Sequence, residues 1–285
     1  MTAATGTARL QQYPIGAGGL TTRVLECGQG DDVVVCLHGS GSRADRWAPV
    51  LPLFAAAGFH AYALDFPGHG LADKPAGYAY GTPAFAEVVA GALDTLDLGS
   101  VSLVGTSLGG HVAAWVACEQ PARVARLVLV GAVGLVPVAG ARPPASPIVS
   151  TGLDGIRAKL ELLLTDHDLI TDEWVREESR INSSPGAAAA LAELSRYSAE
   201  QLDDDVVGER LAGLGIPTLL VWGADDRWIP PSVGHAARDV LPAAPLLLLD
   251  HAGHAPYVER PDTFTKLVAE FLRRPDACAP APFTA

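Results

Sequence analysis

Residues 101–117 read VSLVGTSLGGHVAAWVA. Val101–Val104 is an apolar run of strand type, and an apolar helical pattern follows from Leu108 to Glu119. Between them lies Gly105-Thr106-Ser107-Leu108-Gly109, a G-x-S-x-G turn in the strand-to-helix setting that a nucleophile elbow requires. A serine on so tight a turn is held in a strained backbone conformation. Bulky neighbours would clash, so glycines flank it. Its Oγ projects outward while the helix N-terminus aims N–H groups at developing negative charge. Ser107 is therefore expected to be a nucleophile. A glycine turn without chemistry is the plain alternative.

Working outward, the same alternation of strand and helix patterns recurs. Apolar strand runs occupy Thr22–Cys27, Val33–Leu37, His60–Leu64, Arg126–Val130, Thr218–Trp222 and Pro245–Leu249. Several lack polar alternation, as strands covered on both faces do. Helical patterns fill Asp45–Ala57, Thr82–Asp97, Ser232–Val240 and Asp262–Arg273. The order predicts an α/β fold with a largely parallel, doubly wound sheet. Residues 138–214 break the rhythm. They open in the Pro/Gly-rich stretch Val136–Pro147 and continue with helical patterns at Gly155–Leu164, Thr171–Ile181, Gly186–Tyr197 and Ala199–Leu211, without a strand. This reads as a helical cap inserted between core segments 1–137 and 215–285, a lid over the sheet edge where ligands bind. A decorative helical subdomain is the plain alternative. The Pro/Ala-rich tail Pro275–Ala285 is expected to fray.

Composition narrows the function. Among 285 residues, 49% are hydrophobic and 18% charged, enough for a sizeable core and against a disordered chain. The net charge of −12 disfavours nucleic acid and anionic membrane as partners. Cys27, Cys36, Cys118 and Cys278 form no C-x-x-C pair and read as reduced thiols. Met1–Gln12 has no apolar signal-like segment, and no run approaches the ~20 residues that span a bilayer. A soluble, cytoplasmic protein is expected. No Walker motif, Gly-x-Gly-x-x-Gly helix opening or metal-ligand spacing occurs, so no cofactor and no metal are expected.

A serine needs a base, and the base needs an acid. Of eight histidines, His254 in Ala252-Gly253-His254-Ala255-Pro256 follows the last strand run and is the preferred base, with His251 as competitor. His60 and His111 read as structural, His167 and His235 as solvent-facing. Asp225 or Asp226, after the strand Thr218–Trp222, could orient the histidine. The glycine-rich loop His38-Gly39-Ser40-Gly41-Ser42 follows Val33–Leu37. Its Ser40 N–H and that of Leu108 are the candidate oxyanion donors, with Gly39 and Gly41 beside the substrate. In the cap, Trp174, Tyr197 and Leu160–Leu164 would make an apolar pocket. Arg157, Arg176 and Arg180 could meet a substrate carboxylate, unless they merely sit in water beside Glu173, Glu177 and Glu178.

With these residues in place, the chain resembles the α/β-hydrolase superfamily from about Thr21 to Arg273. Besides the elbow it matches that superfamily's H-G loop at His38-Gly39 and its D-x-x-G-x-G segment at Asp65 to Gly70. It also matches the W-G-x-x-D-x-x-x-P block from Trp222 to Pro230 and the G-H-x-P-x-x-E-x-P block from Gly253 to Pro261. The resemblance implies an α/β-hydrolase fold with an inserted cap and the chain order Ser107, Asp226, His254 for the catalytic triad. Within the superfamily the chain is similar to the meta-cleavage-product hydrolases, which cleave C–C bonds of ring-fission dienoates. It departs from them in Ser42-Arg43 where they carry Pro-Gly, in Thr106 where they carry Asn, and in Ala255 where they carry Trp. These departures place hydrolysis of an ester or lactone through an acyl-enzyme first. C–C hydrolysis comes second, followed by a non-hydrolytic binding protein or a lyase or cyclase on the same fold. The partner in each case is a small molecule with an apolar part.

Overall fold

The computed structural model describes residues 9–138 and 150–273. Most of the Pro/Gly-rich stretch Val136–Pro147, the tail Pro275–Ala285 with Cys278, and the first eight residues lie outside the described residues. One eight-stranded sheet carries the molecule: β1 (Gln11–Ala17), β2 (Leu20–Cys27), β3 (Asp32–Leu37), β4 (Phe59–Leu64), β5 (Val101–Thr106), β6 (Val124–Val130), β7 (Thr218–Gly223) and β8 (Leu246–Leu249). The spatial order is β1-β2-β4-β3-β5-β6-β7-β8. The β1/β2 and β2/β4 pairs are antiparallel, and every pair from β4 to β8 is parallel.

The strands read as near-continuous apolar runs because both faces are covered. Val35 and Leu37 of β3 join one buried cluster with Leu127 and Leu129 of β6. Val34 and Cys36 join the opposite cluster with Val128 and Val130. Alternate side chains thus bury on alternate faces, as the two-residue period of a strand dictates. The first face is covered by α2 (Thr82–Thr95), α3 (Leu108–Glu119) and α8 (Pro231–Val240), the second by α1 (Leu51–Ala56) and α10 (Pro261–Leu272).

Between β6 and β7 the regular elements are helical: α4 (Leu153–Leu163), α5 (Asp172–Asn182), α6 (Ala187–Glu200) and α7 (Gly208–Ala212). Ile156, Leu160 and Val175 extend one core cluster, whereas Ala190 and Leu194 extend the other. The α7 turn packs against α3 and α8.

Three expectations are corrected. The strand β1 was not expected, because Gln11, Gln12 and Pro14 are poor strand formers on a largely exposed segment; an edge strand needs only one partner and little burial. The helix expected at Asp45–Ala57 is a 3-10 turn at Ala44–Trp47 followed by α1. Pro49 and Pro52 lack the N–H groups that one continuous helix would need. The helix expected at Ala199–Leu211 is divided between the last residues of α6, which ends at Glu200, and α7. Its centre is tied down otherwise: Asp203 accepts the Val138 N–H at 2.9 Å, and the Asp205 carboxylate accepts the Tyr197 hydroxyl at 2.7 Å. Cys27, Cys36 and Cys118 are in no disulfide. Among the described residues no helix is long and apolar enough to cross a membrane.

Candidate active site

Ser107 sits between β5 and α3 at φ 53°, ψ −120°, a backbone strain that few non-glycine residues carry. Its N–H donates to Val130 O at 2.9 Å, and its carbonyl accepts from Gly110 and His111. The flanking glycines are obligatory. A Cβ at Gly105 would lie 2.1 Å from Gly109 O, and one at Gly109 would lie 2.3 Å from Leu37 O. The elbow is thereby wedged against the end of β3, where the His38–Ser42 loop begins.

The histidine loop after β8 brings His254 to the same pocket as Ser107. His254 Nδ1 lies 2.7 Å from Asp226 Oδ2, and both side chains are buried. Asp226 Oδ1 accepts the N–H groups of Trp228 and Ile229, each at 2.9 Å, which fixes the carboxylate. Asp225 points to solvent, so the choice between the two aspartates falls on Asp226. The competitor His251 is exposed. The histidine loop has two further anchors. His254 N–H donates to Leu163 O of α4 at 2.7 Å. Glu259, in α9 (Pro256–Glu259), accepts the N–H groups of Gly253, Thr165 and Asp166.

Opposite the elbow, the His38–Ser42 loop is held by two buried imidazoles. His38 Nε2 accepts the Phe66 N–H at 2.9 Å, leaving Nδ1 to donate to Gly39 O at 2.8 Å. His69 Nε2 accepts the Gly41 N–H at 3.1 Å, and Ser42 N–H closes on Gly39 O at 3.2 Å. Burial pushes both imidazoles down to about 3, so both are neutral. Among the described residues, the N–H groups of Ser40 and Leu108 make no hydrogen bond, while their neighbours Gly41, Ser42 and Gly110 do. Both residues line the pocket.

The pocket wall also contains Gly39, Gly41 and Thr106, an apolar side built from Val133, Leu163, Leu194, Leu202 and Trp228, and two cations, Arg46 and Lys159. Two expected contacts are corrected. Trp174 does not line the pocket: its Nε1 donates to Glu178 at 3.0 Å, and its ring lies 4.4 Å beneath the Arg46 guanidinium carbon. Tyr197 is turned away by its hydrogen bond to Asp205 and packs against Gly81. Of Leu160–Leu164 only Leu163 reaches the pocket; Leu160 and Leu164 are core residues. Arg176 and Arg180 are exposed, and Arg157 pairs with Asp172.

The cations that do line the pocket were not singled out from sequence. Lys159 had a signal: it follows Ile156 by three residues and precedes Leu163 by four, so it stands on the inward face of α4. Arg46 has none beyond its nearness to the His38–Ser42 loop. Arg46 Nη2 meets Glu178 at 2.7 Å, and Lys159 pairs with the other Glu178 oxygen. Burial alone would raise the Glu178 carboxyl, but Lys159 and Arg46 hold it down at about 2. Among the described residues no cluster of His, Cys, Asp and Glu could hold a metal ion.

Comparison with known proteins bears on the family and the fold. Residues 32–261 match the family described as alpha/beta hydrolase fold. The chain is 32% identical, over 87% of its length and 90% of the relative's, to a 2-hydroxy-6-oxononadienedioate/2-hydroxy-6-oxononatrienedioate hydrolase of Burkholderia vietnamiensis. A meta-cleavage product hydrolase from Pseudomonas fluorescens superposes with a TM-score of 0.81 at 26% identity, covering 91% of this chain and 96% of that one. A bacterial membrane phospholipase A superposes with a TM-score of 0.80 at 26% identity, covering 92% and 86%.

Proposed function

The chain belongs to the alpha/beta hydrolase fold family, and from that premise we propose that it is a serine-dependent C–C bond hydrolase of ring-fission dienoates. The order of preference drawn from sequence is thereby reversed: the Burkholderia relative, at the highest identity of the three, and the meta-cleavage product hydrolase support the C–C reaction, whereas the phospholipase alone speaks for an ester. The departures that argued for an ester leave the reacting groups intact. All three reach the pocket wall, through Ser42, Thr106 and Ala255, and bear on substrate shape instead.

The observation that carries the reading is Arg46. It is a buried guanidinium on the pocket wall, and only its Nη2 has a protein hydrogen-bond acceptor among the described residues. A neutral ester has no use for such a cation, whereas a dienoate brings a carboxylate to meet its remaining donors. The apolar wall of Val133, Leu194 and Leu202 suits the hydrocarbon remainder.

In this reading Asp226 holds His254 in the tautomer that accepts a proton at Nε2. His254 takes the Ser107 proton as Oγ attacks the ketone carbon, and the new oxyanion is held by the Ser40 and Leu108 N–H groups. Loss of one such donor typically costs about 2.7–4 kcal/mol of barrier. Collapse breaks the C–C bond. Because the 2-hydroxy-dienoate first ketonises, moving its enol proton to the carbon next to the ketone, the electron pair passes through the remaining C=C bond onto the 2-keto oxygen. The enolate so formed receives the proton from His254, and a Ser107 acyl-enzyme remains. Water activated by His254 then releases a carboxylic acid, so one water is consumed per bond cleaved. The α4–α6 layer serves as the cap that keeps this chemistry covered.

The test compares a 2-hydroxy-6-oxo dienoate, followed by loss of its visible absorbance, with p-nitrophenyl esters. We expect the dienoate to have the higher kcat/KM. Arg46→Gln is expected to raise KM for the dienoate by a much larger factor than KM for p-nitrophenyl acetate. An ester turned over faster than the dienoate would restore the ester reading. Equal rates in wild type and Ser107→Ala would remove Ser107 from the mechanism.

A further inference from the structure

Lys159 is among the most deeply buried side chains of the protein, at 1% exposure, and the mechanism above gives it no task. A buried ammonium is costly unless its donors are satisfied. Its Nζ donates to Gly41 O at 2.8 Å and pairs with Glu178, which α5 supplies and Arg46 also holds. The Gly41 peptide is thus gripped on both sides, its N–H by His69 from the core and its C=O by Lys159 from α4. Gly41 has φ +64°, a left-handed conformation that sets the direction of the loop, and the Ser42 N–H closes the turn on Gly39 O. The other residue enclosed by this turn is Ser40, whose N–H has no partner among the described residues and whose body lines the pocket.

We propose that Lys159 is a positioning residue that fixes the oxyanion loop through the Gly41 carbonyl and makes its geometry depend on the seating of α4. The proposal rests on the reading of Ser40 as an oxyanion donor. Lys159 does not itself touch the reacting atoms. It acts through the loop, so its loss weakens transition-state binding more than substrate binding. A purely structural ion pair would behave otherwise: an uncharged pair of similar volume could replace it without a specific effect on turnover.

The experiment uses three variants. Lys159→Arg keeps a donor for Gly41 O. Lys159→Met removes it. Lys159→Met/Glu178→Gln removes both charges, so that no buried carboxylate is left short of a partner. Rates are normalised to active sites counted by the acylation burst with a p-nitrophenyl ester, which separates lost activity from lost fold. A displacement of this kind costs on the order of 10- to 100-fold. We expect that loss in kcat per site for both Met-containing variants, with KM little changed. Inhibition by a trifluoromethyl ketone, which forms a tetrahedral oxyanion, should weaken by the same factor. Amide hydrogen exchange over residues 38–43 should quicken in both, and Lys159→Arg should restore all three readouts towards wild type. Wild-type kcat per site and ketone affinity in the double variant would overturn the proposal, as would unchanged exchange in the loop. If Ser107→Ala proves as active as wild type, the serine mechanism is what fails, and the exchange measurement alone decides whether Lys159 holds the loop.

Discussion

Asp226 accepts three hydrogen bonds, two from backbone N–H groups, while its neighbour Asp225 faces water. Both follow the same strand, and only the W-G-x-x-D block of the family resemblance points to Asp226; burial points the same way. Asp226→Asn should therefore lower kcat by about 10⁴-fold, because an amide favours the wrong histidine tautomer, and steady-state kinetics will show it. Asp225→Asn should leave kcat at the wild-type level in the same assay. The three residues proposed as the triad stand out in the sequence because each sits beside glycines or at a strand end in a recognisable order. Arg46 and Lys159 do not, because charged residues near loops and on helices ordinarily face water. Trp174 and Tyr197 are the converse case. Both were expected in the pocket for their rings, but their polar edges found partners elsewhere, as buried indole and phenol groups do.

The connections between elements were less legible than the elements. The sheet strands from β2 to β8 stand out as apolar runs, yet β1 does not, since pairing at a sheet edge demands no hydrophobic pattern. Glu259 is a connection of this kind. Its two oxygens join the histidine loop to residues 165 and 166 after α4. The N–H of Gly253 is buried, whereas Thr165 and Asp166 are exposed and can turn to water. Glu259→Ala should therefore cost about 1–3 kcal/mol, the penalty of one unsatisfied buried donor. Urea unfolding will measure it, and kcat should fall as well because His254 is the next residue. The elbow gives a harsher case. Gly109→Ala would drive a methyl into the carbonyls of Leu37 and His38, and soluble expression at wild-type level would contradict the geometry described here.

The whole molecule buries three imidazoles that stay neutral. Burial depresses His38 and His69 to about 3 and His111 to about 4, against an ordinary value of 6.5. The unfolded chain would bind protons at these sites well before the folded one does. Their contribution to stability is therefore complete above pH 6.5 and is lost as pH falls towards 4 and 3. The urea midpoint should decline steadily from pH 6.5 to 4; a flat profile across that interval would show that these rings are not held neutral. At this scale the two-faced sheet was the most legible property, because a period of two with both faces apolar admits few architectures. How the helices between β6 and β7 seat on it depends on contacts far apart in sequence, which no local pattern carries.

One of those contacts limits what can be rebuilt. The backbone of His254 hangs from the carbonyl of Leu163, at the C-terminal end of α4. A chimaera that grafts foreign helices onto this sheet would cut the mounting of the histidine proposed as its proton carrier unless the strip from 163 to 166 travels with the recipient. The seam for any such transplant runs inside the helical layer, not around it.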